Sequence, residues 1–181
     1  LHWAIINNCP KLVQFLLSKG HDINHLEEGG TYSSTALHVA VLCKNHPLIQ
    51  LILKNPALDL NKLNLSGDTA LHIAIERRYL GGVELLHAAG ADLEIVDRDG
   101  KTPLLLACYN GYEEIMEFLV RNGANVNARL PAGTWIPDVT LLHGLMWPNF
   151  ERLVRLALES GADPEVRDDQ HRRPIDIAFE K

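Results

Sequence analysis

Apolar residues along this chain fall into short clusters at helical spacing, and the clusters come in pairs. In one pair, Leu71, Ala74 and Ile75 stand at i, i+3 and i+4, one face of a short helix. After a break at Arg78-Tyr79, Val83, Leu85 and Leu86 supply the apolar set of a second helix. Thr69 precedes the pair as an N-cap, its hydroxyl able to satisfy an orphan N–H. Gly90 follows where a left-handed C-cap belongs. Ala91 to Glu94 then reads as extended, and Asp97-Arg98-Asp99-Gly100 as a turn. Gly81 and Gly82 open the second helix and cost about 1 kcal/mol each relative to Ala. That predicts a helix that starts late or frays.

The same plan recurs. Thr69-Ala70-Leu71-His72-Ile73-Ala74 is preceded by Thr35-Ala36-Leu37-His38-Val39-Ala40 and followed by Thr102-Pro103-Leu104-Leu105-Leu106-Ala107. Thr140-Leu141-Leu142-His143 and Arg173-Pro174-Ile175-Asp176-Ile177-Ala178 continue it, and the chain opens part-way through a copy at Leu1-His2-Trp3-Ala4. The Leu or Ile of each copy falls at 1, 37, 71, 104, 142 and 175, a spacing near 33. The second helices end in related boxes, among them Gly20-His21-Asp22-Ile23-Asn24 and Gly123-Ala124-Asn125-Val126-Asn127. A period near 33 with a T-P-L-H-x-A core is a solenoid signature. No single helix pair buries its apolar face alone, so neighbours must stack.

With both boxes recurring at this period over essentially the whole chain, the sequence resembles an ankyrin-repeat domain. The resemblance implies an all-α solenoid: helix, turn, antiparallel helix and a projecting β-hairpin finger per repeat, in a right-angled, L-shaped stack. It divides one domain over 1–181 into repeats at roughly 1–31 (partial), 32–65, 66–98, 99–136, 137–170 and 171–181 (partial). It also implies that His2, His38, His72 and His143 bond finger to helix. Leu105 replaces that His in the fourth repeat. In the fifth, Gly144-Leu145 stands where a small Ala is usual, and Pro148 is expected to end the first helix early. The family Asn position is held by Asn24, Asn61 and Asn127. The resemblance makes Asn127 a possible substrate for asparaginyl hydroxylation, beside a structural hydrogen-bonding role.

Composition narrows the partners. The formal charge of −6 is spread along the chain, which argues against a nucleic-acid backbone as partner. Pairs such as Arg77-Arg78 and Arg172-Arg173 read as solvated helix ends and loops. Cys9, Cys43 and Cys108 form no C-x-x-C pair and suit a reducing, intracellular compartment, cytoplasmic before nuclear. No apolar run is long enough for direct membrane insertion. The opening at Leu1, inside a copy, is read as a piece of a longer chain, a monomeric domain within it.

Catalytic and metal chemistry find no support. The histidines recur at one phase, forming a row rather than a cluster, and none has HExxH or paired-Cys spacing. Asp97 to Thr102 fails as a calcium loop because Ile95 holds the first ligand place. As a phosphate loop it fails for want of a glycine there. No G-x-S-x-G or triad spacing occurs. No cofactor is expected. Asn64-Leu65-Ser66 has the pattern of a glycosylation site, relevant only in a secreted protein.

The strongest functional signal is the insertion from Arg129 to Val139, where two prolines and a glycine stiffen a loop around Trp135 and Ile136. Those side chains either meet a partner or fold back over the fifth repeat. Trp147, Asn149 and Phe150 at a first-helix end, Tyr109 and Tyr112 one repeat earlier, and Arg77, Arg78 and Tyr79 before that extend the candidates. Tyr32 and Arg98 are candidates at finger tips. Together they suggest a patch over repeats three to five that binds a protein or peptide without catalysis. Alternatives are the recruiting part of a larger enzyme (a palmitoyltransferase, ubiquitin ligase or kinase) and a regulator like the family's NF-κB inhibitors.

Overall fold

The computed structural model describes residues 1–27, 33–130, 139–146 and 150–179. Among them all regular structure is helical. The chain divides into two compact units, Leu1–Asp92 and Leu93–Lys181.

The first unit holds three helix pairs: α1 (His2–Ile6) with α2 (Pro10–Ser18), α3 (Ala36–Leu42) with α4 (His46–Leu53), and α5 (Ala70–Glu76) with α6 (Leu80–Ala88). First helices pack on first helices, α1 on α3 and α3 on α5, and α4 packs on α6. Burial follows the apolar pattern. In α3 and α5 six of the seven residues are buried, including Leu37, Val41, Leu71 and Ile75. The second helices contribute Leu48, Ile49, Ile52, Val83 and Leu86.

The second unit is built alike, from α7 (Pro103–Tyr109), α8 (Glu113–Arg121), α9 (Leu141–Gly144), α10 (Glu151–Glu159) and α11 (Pro174–Phe179). Here α7 packs on α8 and α9, and α10 on α8 and α9. Leu104, Ile115, Met116 and Leu119 are fully buried.

Helix starts follow the predicted capping. The Thr69 hydroxyl accepts the N–H of His72 at 3.3 Å, and that of Thr102 accepts the N–H of Leu105 at 3.4 Å. Gly90 has φ 92°, a left-handed conformation that only glycine takes without strain.

Two expectations need correction. The fingers do not form strands among the described residues. Three close as tight turns with two main-chain bonds each: Asn64 N–H to Asp68 O (2.9 Å) with Gly67 N–H to Asn64 O (3.0 Å), and the same pair at Asp97 (3.0 and 2.9 Å) and at Asp168 (3.0 and 3.0 Å). Both bonds fall within five residues, and among the described residues no ladder extends from them. Nor does α6 start late, for it runs through Gly81 and Gly82. A Cβ on Gly82 would stand 2.4 Å from Cδ1 of Tyr79, so glycine there admits the tyrosine ring. The early end expected of the fifth first helix is seen: α9 has four residues against seven in α7. Pro148, the expected cause, lies outside the described residues.

Candidate functional site

The recurrent histidines have a structural geometry. The Nδ1 of His38 accepts the N–H of Thr35 at 3.2 Å and lies 2.7 Å from its hydroxyl. With Nδ1 an acceptor, the ring proton sits on Nε2 and is donated to the Asp68 carbonyl at 3.0 Å. His143 repeats this with Thr140 and the Arg172 carbonyl, at 3.3 and 3.2 Å. Burial lowers the His38 pKa from 6.5 to about 4, and burial likewise lowers that of His143. These rings are neutral struts between helix and finger. Among the described residues no group of three His, Cys, Asp or Glu side chains is arranged to hold a metal.

The asparagine boxes are struts as well. Asn24 donates to the Ala57 carbonyl at 2.7 Å and accepts from Asp59 N–H at 2.8 Å. Asn127 does the same with Gly161 and Asp163, both at 2.9 Å. Each amide thus joins its copy to the next. At the finger tips, Asn64 accepts the N–H groups of Ser66 and Asp68, at 2.8 and 2.9 Å. Asp97 and Asp168 hold the same double turn. Asn64 is buried, which removes the glycosylation reading.

The partner candidates separate into four positions of the repeat. Tyr79, Tyr112 and Phe150 each stand immediately before a second helix and are half-buried. Tyr79 is held on several sides: its ring packs on Gly81 and Gly82, and its hydroxyl lies 3.2 Å from Nδ1 of His46. Lys44 Nζ sits 5.9 Å from its ring centroid. Burial raises the pKa of its phenol. Phe150, expected at a first-helix end, caps α10 instead.

Arg78 and Arg98 are exposed in turns. Arg78 occupies the turn before α6 at φ 47°, and Arg98 lies at a finger tip between Asp97 and Asp99. Tyr109 is the last residue of α7 and is 74% exposed, with Lys101 Nζ 5.4 Å from its ring centroid. Tyr32, Trp135, Ile136, Trp147 and Asn149 lie outside the described residues.

The position of Tyr109 recurs at residues the sequence reading passed over. Ile6 and Leu42 end α1 and α3 as Tyr109 ends α7, and they are 62% and 39% exposed. Leu65, at the tip of a finger, is 73% exposed. The signal was available: residues 6, 42, 76 and 109 keep the spacing of the repeat.

Stacked helix pairs joined by His and Asn struts, with side chains presented at fixed phases, define a repeat protein whose surface serves for binding. The family model for ankyrin repeats in three copies matches residues 1–97, and that for the ankyrin repeat matches 99–129. The chain belongs to the ankyrin-repeat family. It is 31% identical to the mouse (Mus musculus) B-cell lymphoma 3 protein homolog over 98% of its own length and 39% of that protein's. It is 30% identical to mouse palmitoyltransferase ZDHHC13 over 99% of its length and 28% of that protein's. Among solved structures, the ankyrin repeat domain of Bcl-3, described as a unique member of the IkappaB family, superposes with a TM-score of 0.85. That match has 30% identity and covers 98% of this chain and 76% of the other. The chain therefore spans about two-fifths or less of these two full-length relatives. Ankyrin repeats are protein-interaction modules, and this region is a non-catalytic one.

Proposed function

We propose that this region binds a partner protein or peptide through the exposed ends of its first helices and its finger tips. The observation that carries this is the contrast within a first helix. In α3 every residue from Ala36 to Val41 is buried, and Leu42, the one that follows, is an exposed apolar side chain. Ile6 and Tyr109 repeat the placement. A large apolar group left in water at a fixed phase of a rigid scaffold is what a partner can cover. Tyr32, Arg78, Arg98, Tyr112, Trp135, Ile136, Trp147 and Phe150 are proposed as further contacts. The partner is a polypeptide rather than a nucleic acid, consistent with the acidic net charge.

A photo-crosslinking residue placed at 42 or at 109 should trap a discrete partner in cells. The same residue at Leu158, exposed on α10, should not. Equal trapping at all three positions would overturn the reading.

The relatives favour a second reading about the parent protein. Near-complete alignment to less than a third of a palmitoyltransferase suits a recruiting domain of a larger enzyme, and the likeness to Bcl-3 suits a regulator like those of the IkappaB family. The interaction role is common to both. The three free thiols support an intracellular setting. Among the described residues no helix is long and apolar enough to cross a membrane.

A further inference from the structure

Two of the three inter-helix turns of the first unit carry charge opposite to that of the chain as a whole. Segments 41–46 and 76–80 hold Lys44, Arg77 and Arg78 with His46, against one carboxylate, Glu76. Lys44, His46, Arg77 and Arg78 are all exposed. Packing of α3 on α5 and of α4 on α6 sets the two turns side by side. Tyr79 joins them, with Lys44 over its ring and His46 at its hydroxyl. Lys44 and Arg78 adopt left-handed backbone, φ 51° and 47°, so both cations sit at the apices of their turns. The corresponding turn of the second unit is Asn110-Gly111-Tyr112-Glu113-Glu114, which is acidic. Basic character therefore belongs to these two turns and not to the repeat.

Leu42 and Cys43 lead directly into the basic turn. Resting on the interaction role proposed above, we infer that the edge formed by Lys44, His46, Arg77 and Arg78 around Tyr79 docks an acidic segment of the partner protein, beside the apolar contact at Leu42. Clustered surface cations attract a carboxylate-rich chain from a distance and fix its register. The aromatic ring between them, packed on glycines rather than free to rotate, gives that chain a rigid platform.

Fluorescence anisotropy with labelled octaglutamate tests this directly, with octalysine and a single-stranded DNA oligonucleotide as the other probes. Octaglutamate should bind at low ionic strength. Binding should weaken as added salt shortens the Debye length from about 30 Å to about 8 Å. The triple variant Lys44→Ala, Arg77→Ala, Arg78→Ala should lose roughly tenfold in affinity, since three weak exposed ion pairs are lost together. The matched variant Lys11→Ala, Lys19→Ala, Lys54→Ala removes the same charge elsewhere in the unit and should bind as the parent does. Absence of octaglutamate binding, an equal loss in the matched variant, or tighter binding of the oligonucleotide would overturn the inference. Crosslinking from position 42 reads the interaction role separately, so either can fail alone.

Discussion

The ring of Tyr79 occupies the space that any side chain on Gly82 would need, three residues further on. A Cβ there would lie 2.4 Å from Cδ1, 2.7 Å from Cε1 and 3.2 Å from Cγ. Because the clash reaches the root of the ring, the tyrosine cannot escape by swinging its tip. Alanine would raise helix propensity at this site by about 1 kcal/mol, but overpacking typically costs about 1–3 kcal/mol. Gly82→Ala should therefore destabilise the protein in urea unfolding, and Tyr79→Ala should abolish that penalty in the double variant. A stabilised Gly82→Ala would show that the ring does not hold this position.

Acid should loosen the stack through its histidines. His38 is buried, its pKa lowered from 6.5 to about 4, so in this window the unfolded chain binds a proton that the folded chain does not. Its contribution is fully present above pH 6.5 and is lost as pH falls toward 4, by about 3 kcal/mol at the low end. Protonating Nδ1 would also set a donor against the Thr35 N–H. Urea midpoints between pH 7 and pH 4 should fall more steeply in the parent than in His38→Gln. Identical slopes would mean that His38 is not buried neutral.

The finger turns should accept either side chain of the Asx pair. Asn64→Asp should be nearly neutral, because Asp97 and Asp168 already hold the same two N–H groups elsewhere. Asn64→Ala leaves two backbone donors without their acceptor and should cost about 1–3 kcal/mol. Thermal melts of the two variants separate these outcomes. An equal loss in both would mean the amide N–H₂ is required.

Thiol chemistry should discriminate among the cysteines. Cys43 is exposed, whereas burial pushes the Cys108 thiol up to about 12. The sulfur of Cys108 also lies against Gly144, where an added Cβ would stand 2.5 Å away. Maleimide labelling read by mass spectrometry should modify Cys43 in the native protein and reach Cys108 only on unfolding.

Period, capping threonines and closing glycines were legible in the sequence because they are set by local backbone requirements repeated at a fixed interval. Gly82 was not, since its reason is the placement of a side chain on a neighbouring turn. Gly144 was not, since its reason is a sulfur one repeat away. Asn64 carries a glycosylation pattern that says nothing of burial, and only the turn geometry removes it. At the candidate site, aromatic character singled out Tyr79, Tyr112 and Phe150, which cap second helices and are half-buried. Phase, rather than residue type, picks out Ile6 and Leu42 beside Tyr109.

The proposed binding surface is the exposed ends of the first helices. Its most direct test is the affinity of a crosslink-identified partner for Leu42→Ser with Tyr109→Ser, compared with Leu158→Ser. Loss of tenfold or more in the double variant, with an unchanged melting temperature and no loss at Leu158, is the predicted result. Undiminished affinity in the double variant would contradict it.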